Sequence, residues 1–150
     1  MLPPTLLPTW ATPNSMYTFG KQERLCSKKL TGTLFQSGYR LMVFPYSVHW
    51  LLCPADELPN GVPVQILITT SKKRFKHAVG RNRVKRLTRE CYRMQKEGLY
   101  KLLRGENIAL LLAVNYIHHE IFPYDVCYHK MEKLLAALTK EIEQRISSIE

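Results

Sequence analysis

Residues 72–93 read KKRFKHAVGRNRVKRLTRECYR and hold ten of the chain's 22 lysines and arginines against one carboxylate, Glu90. The segment carries +9 of a net charge of +10 over 150 residues. The 71 residues before it hold five basic against three acidic side chains, and the 57 after it hold seven against eight. Charge that only keeps a protein soluble spreads along the chain. Charge gathered in one segment is a field for a polyanion, and nucleic acid is the first candidate. Cations this close repel one another, so the arrangement gains stability when a partner neutralises it.

From about Val79 to Leu103 the segment and its continuation predict one long helix, closed by Gly105. Val84, Leu87, Cys91 and Met94 fall on one side at helical spacing and are expected to pack inward. Asn82, Arg86, Arg89 and Arg93 line up on the opposite side, spanning about 16 Å at the usual rise per residue. Lys85 and Lys96 flank that row on one edge and Arg83 on the other, while Arg81 falls near the apolar border. The row can meet a few consecutive phosphates, and the planar arginine fork offers each of them two donors. A face that is merely solvated mixes signs in pairs four apart. This one reads as a row without acidic partners.

Working outward, Gln22 to Gln36 suggests a short amphipathic helix through Leu25, Cys26, Leu30, Leu34 and Phe35, ended by Ser37-Gly38. Tyr39 to Cys53 is rich in β-branched and aromatic residues and fits a strand or two, with Pro45 marking an edge or a bulge. Asn60-Gly61 is a turn signal, and Val62 to Ser71 reads as a further strand with Val64, Ile66 and Ile68 on one face. After the basic helix, Asn107 to Asn115 (NIALLLAVN) is apolar throughout, as expected of a central strand covered on both faces. The last helix, about Asp125 to Arg145, repeats Cys127, Met131, Leu134, Leu138 and Ile142 at helical spacing. The order α-β-β-α-β-α predicts a single-domain α+β sandwich, a small sheet with helices packed on it.

Residues 1–15, MLPPTLLPTWATPNS, hold four prolines and no charge, which predicts a disordered tail before a domain at 16–150. Translation starting at Met16 is the sharper reading of that contrast. At 45% hydrophobic the chain is no disordered basic arm. No apolar stretch approaches the roughly 18 residues that span a bilayer, and no membrane partner is expected. Cys26, Cys53, Cys91 and Cys127 lack metal or redox spacing and read as buried or half-buried thiols in a reducing cytoplasm. A two-metal nuclease needs converging carboxylates. Here there are two aspartates, Asp56 and Asp125, and glutamates spread along helices. His118-His119-Glu120 is the one dense run of ligand types, but neighbours on an extended chain point apart, so no metal site and no catalytic residue are expected.

Phe75-x-x-Ala78-x-x-Arg81-Asn82-Arg83-Val84-Lys85-Arg86-Leu87-x-Arg89-Glu90, preceded by Ser71-Lys72-Lys73, resembles the signature of the bacterial ribonuclease P protein subunit family. The surroundings agree from Phe19 to about Leu138. The resemblance implies a cofactor protein for a catalytic RNA that removes the 5′ leader of precursor tRNA with Mg²⁺, held chiefly by the RNA and the substrate. It implies an α-β sandwich with a left-handed βαβ crossover around the basic helix. Lys72, Lys73, Arg81, Asn82, Arg83, Lys85, Arg86, Arg89 and Arg93 become candidate RNA contacts.

The family also grips the single-stranded leader with aromatic side chains between the first helix and the sheet. Phe35 matches one of these positions; four residues earlier this chain has Thr31 in place of an aromatic. Tyr46, His49 and Trp50 are candidates to supply that second contact. The implied partners are the catalytic RNA and precursor tRNA, with no obligate protein partner. Two other readings stand beside this one. A structural rRNA-binding protein would share the basic helix without needing an aromatic cleft. A helix-turn-helix DNA binder needs a second helix just before the recognition helix, where this chain has a strand.

Overall fold

The computed structural model describes residues 19–58 and 62–149. The proline-rich tail, the alternative start at Met16 and the Asn60-Gly61 turn lie outside the described residues. Helix α1 spans Lys28–Ser37, strands β1 and β2 span Tyr39–Val43 and Tyr46–Pro54, and β3 spans Val64–Thr70. Helices α2 (Ala78–Arg93) and α3 (Glu97–Gly105) follow, then β4 (Ile108–Tyr116) and α4 (Tyr124–Ile149). The element order is therefore α-β-β-β-α-α-β-α. Of the strand or two expected over Tyr39 to Cys53 there are two, which adds a strand to the expected order, and the basic helix is broken after Arg93, which corrects the single long helix.

Helix α1 starts where Ser27 can cap it, its Oγ accepting from the Leu30 N–H at 3.2 Å. It stops at Gly38, where the backbone turns extended, and only glycine fits there because a Cβ would stand 2.3 Å from the Leu34 carbonyl oxygen and 3.0 Å from that of Trp50. Pro45 lies in the tight turn between β1 and β2, so its missing donor interrupts no ladder. The sheet order is β1-β2-β4-β3, with β2 antiparallel to both neighbours and β3 parallel to β4. Helices α2 and α3 form the crossover between the two parallel strands.

Alternation along β4 builds two cores. Leu110, Leu112 and Val114 face α2 and α4 and join the inward stripe Cys127, Met131, Leu134, Leu138 and Ile142. Ala109, Leu111 and Ala113 face the other way, under α1 with Leu25 and Leu34. Each fully buried leucine is worth roughly 1.5–3 kcal/mol of burial, which places β4, covered on both faces, at the centre of the fold.

Helix α2 packs through Val84, Thr88, Cys91 and Tyr92, with the half-buried Leu87 against the same core as expected, whereas Met94 is exposed. The Thr88 hydroxyl is satisfied within the helix by the Val84 carbonyl at 2.9 Å, so a polar residue can face the core. The break at Met94–Lys96 lets Lys96 turn inward to the Glu23 carboxylate. Gln95 ties the break to α4, donating to Cys91 O at 3.2 Å and Tyr128 O at 3.0 Å. The chain then reverses into β4 at Asn107, whose φ of 55° suits asparagine, while Gly105 ends α3. Of the four free thiols, Cys91 and Cys127 are buried and Cys53 is half-buried, whereas Cys26 is exposed, against expectation.

Candidate nucleic-acid interface

Ser71 shapes the basic loop before α2. Its carbonyl accepts from Arg74 N at 3.2 Å and Phe75 N at 3.1 Å, and its hydroxyl from Lys73 N at 3.0 Å. Phe75 is the loop's apolar anchor, its ring 6.1 Å from that of Tyr116. With Phe75 held inward, Lys72, Lys73, Arg74, Lys76 and His77 are left exposed. Arg74 also donates to the Ile117 carbonyl, fastening the loop to the end of β4. Arg74 and Lys76 stand in the basic run without being singled out by the sequence as individual contacts; the loop geometry is what brings them to the surface.

Among the candidate RNA contacts on α2, Asn82, Arg83 and Arg86 are exposed, and Lys85 and Arg89 are half-buried. Arg81 holds the structure together at this point, since one guanidinium nitrogen donates to Phe75 O at 2.9 Å and Lys76 O at 3.0 Å and so clamps the loop onto the helix. Arg93 is bound to Glu90 through both its Nε and an Nη, which raises its pKa and lowers that of Glu90 through the shared hydrogen bonds. The row therefore has an acidic partner at its far end. Lys96 leaves the flank altogether, being 3% exposed. Arg86→Ala should leave the melting temperature within a few degrees of wild type, because an exposed side chain of this kind contributes about 0.5 kcal/mol or less.

Phe19 is a contributor the sequence did not reveal. The guanidinium carbons of Arg24 and Arg89 lie 6.0 and 5.9 Å from its ring centre, and the Lys96 ammonium 5.8 Å. Cations at this range are attracted by the face of the ring. Partial burial first, then Arg24 and Arg86, depress the Arg89 pKa. The N-terminal segment carrying Arg24 is fixed along β3 by Leu25 N donating to Ile66 O at 2.9 Å, which widens the cationic surface beyond α2.

Of the residues expected at the leader site, Phe35 and His49 lie on the other face of the sheet, at the end of α1. Phe35 is 50% exposed and its ring meets His49 edge-on, with centroids 4.9 Å apart. Burial, then the charge of Arg40, lowers the His49 pKa. That shift favours the uncharged ring. Thr31 spends its hydroxyl on the Ser27 carbonyl at 2.7 Å.

Tyr46 and Trp50 are corrections. They are 0% and 1% exposed and belong to the core under α2 and α4. Strand alternation puts both on the face opposite His49, so neither can touch a ligand lying beside Phe35. Near the end of β4, His118 stacks on Phe122 at 4.6 Å and meets Phe44, which is 47% exposed.

The chain is similar to known proteins in sequence and in fold. The profile of the family described as Ribonuclease P matches residues 19–138. A ribonuclease P protein component from Porphyromonas gingivalis is 32% identical over 127 residues, covering 83% of this chain and 90% of that relative. Another, from Chlorobium phaeobacteroides, is 38% identical over 102 residues, covering 65% of this chain and 70% of the relative. The structure of the Staphylococcus aureus RNase P protein superposes with a TM-score of 0.53 at 17% identity, covering 77% of this chain and 94% of that one. That last likeness is one of fold.

Proposed function

The chain belongs to the ribonuclease P protein family, and from that premise we propose how its two faces divide the work of the enzyme. As the protein component of a tRNA-processing endoribonuclease it has an RNA partner. In our reading the basic loop and the outer face of α2 hold the catalytic RNA, through Lys72, Lys73, Arg74, Lys76, Asn82, Arg83, Lys85, Arg86 and Arg89. Arg81 and Arg93 order that surface and add their remaining donors to it. The cleft at Phe35 and His49 receives the single-stranded 5′ leader of precursor tRNA. Rings suit a leader of varying sequence because stacking accepts any base.

The observation that carries the reading is the separation of an exposed arginine face from an exposed Phe35 ring set against the half-buried His49, on opposite sides of one sheet. A structural rRNA binder needs only the first of these. Mg²⁺ in this reading is held by the phosphates of RNA and substrate. The protein's part is to neutralise and to position. Its free thiols suit the reducing cytoplasm in which such an enzyme would work.

Phe35→Ala tests the cleft. Losing a base–ring stack should weaken precursor-tRNA binding by the holoenzyme by about 1–3 kcal/mol. Binding of mature tRNA, which has no leader, should hold, as should binding of the protein to the catalytic RNA. Equal losses for precursor and mature tRNA would remove the cleft from the leader's path. Cleavage at low Mg²⁺ with and without the protein checks the cofactor role itself.

A further inference from the structure

A cleft of about 580 Å³ opens between the outer face of α2 and the segment leading into α4, within the size range of small-ligand sites. Its walls differ in chemistry. Arg83 and Arg86 supply two guanidinium groups, Leu87, Phe122 and Tyr124 supply apolar and aromatic surface, and Glu90 supplies one carboxylate. Tyr124 is 45% exposed, which leaves its ring open to a ligand in the cleft.

The apolar wall is already in place. Phe122 is held from behind by the His118 ring. Its N–H donates to the Tyr116 hydroxyl at 3.0 Å, and that hydroxyl donates to Glu120 O at 2.8 Å. Glu90 is fixed by Arg93.

We propose that this cleft takes up one unstacked nucleotide of the RNA subunit, its base against Leu87, Phe122 and Tyr124 and its phosphate against Arg83 and Arg86. The proposal rests on the reading that α2 faces that RNA, and it adds a base contact where that reading has only phosphates. A duplex backbone running over the helix would need the arginines but not the rings. A bare anion would use the two arginines alone, whereas a nucleotide also uses the rings and brings N–H donors that the Glu90 carboxylate can accept. A contact of this type reads the shape and stacking of an unpaired base, so it adds selectivity for one site on the RNA to the positioning that the phosphate contacts supply.

The test uses the full chain and a transcribed bacterial ribonuclease P RNA, with affinity measured across a salt series. Tyr124→Ala should weaken binding on the order of 5- to 100-fold, the range of one base–ring stack, without changing the slope of affinity against salt. Tyr124→Phe should bind like wild type, because the ring remains. Arg86→Ala should instead lower the slope by about one unit. Wild-type affinity in Tyr124→Ala with a weakened Arg86→Ala would overturn the cleft and leave the α2 reading standing. If neither change has an effect, the α2 reading fails and takes the cleft with it. Should Tyr124→Ala unfold, Tyr124→p-benzoylphenylalanine in the same complex decides by photocrosslinking: crosslinks at one unpaired nucleotide support the site, and none, or a spread along helices, overturns it.

Discussion

Raising monovalent salt from about 50 to about 200 mM should weaken the complex of this protein with its RNA subunit on the order of 10³-fold. Each phosphate neutralised by a side chain releases condensed counterions, and the released ions return in proportion to the salt present. Lys72, Lys73, Arg74, Lys76, Arg83 and Arg86 are exposed. Six contacts of that kind give a loss of this size over a fourfold salt change, roughly. Arg81 and Arg93 do not add to these six, because both are half-buried and engaged with backbone carbonyls or Glu90, whereas Arg74 gives only its Nε to Ile117 and is exposed. A flat salt dependence would mean that the cationic face does not meet phosphate. Arg89→Ala is expected to behave differently from Arg86→Ala: Arg89 is half-buried beside Phe19, so its removal should lower both RNA affinity and melting temperature.

The stripe of α4 and the doubly covered β4 are legible in the sequence because each depends on a local period, which burial then obeys. The outward direction of Arg83 and Arg86 follows from the same rule. Tyr46 and Trp50 depart from expectation for a reason the strand itself supplies. Period two puts them together and His49 apart, but which side is the core is decided by the pairing of Trp50 with Leu112, far along the chain. The break after Arg93 is hidden for a similar reason. A lysine on a basic helix reads as solvent-facing, and Lys96 turns inward only because a carboxylate 73 residues earlier in the chain meets it there. Thr88 suits the core only once the Val84 carbonyl is seen to satisfy it. Local pattern carries the faces of single elements, and long-range pairing settles which face meets what.

Glu23→Ala should lower stability by about 3–5 kcal/mol, the usual result of removing one member of a buried ion pair. At this chain length that is a fall in melting temperature of about 10 °C or more. Glu23 is 8% exposed in a short 3-10 turn, and its carboxylate collects three donors: Gly20 N at 2.6 Å, the Tyr100 hydroxyl at 2.6 Å and the Lys96 ammonium. Without it the ammonium keeps the Tyr100 and Phe19 rings, 4.8 and 5.8 Å away, which attract a cation but do not replace a carboxylate. Tyr100 passes the network on to Tyr92, whose hydroxyl lies 2.9 Å from its own, so the first turn, α2 and α3 are joined at one point. Glu23→Gln keeps the shape and an acceptor and should fall between the two.

Replacing both partners, as Glu23→Leu with Lys96→Met, should recover much of the loss, because apolar residues of similar volume need no partner in a dry site. The same turn carries Arg24 to the side of Arg89. The double variant should therefore regain RNA affinity along with melting temperature. If Glu23→Ala melts like wild type, the pair does not hold the N-terminal turn to α3. Recovery of stability without recovery of RNA binding would mean that Lys96 or Glu23 acts on the RNA surface directly rather than through the fold.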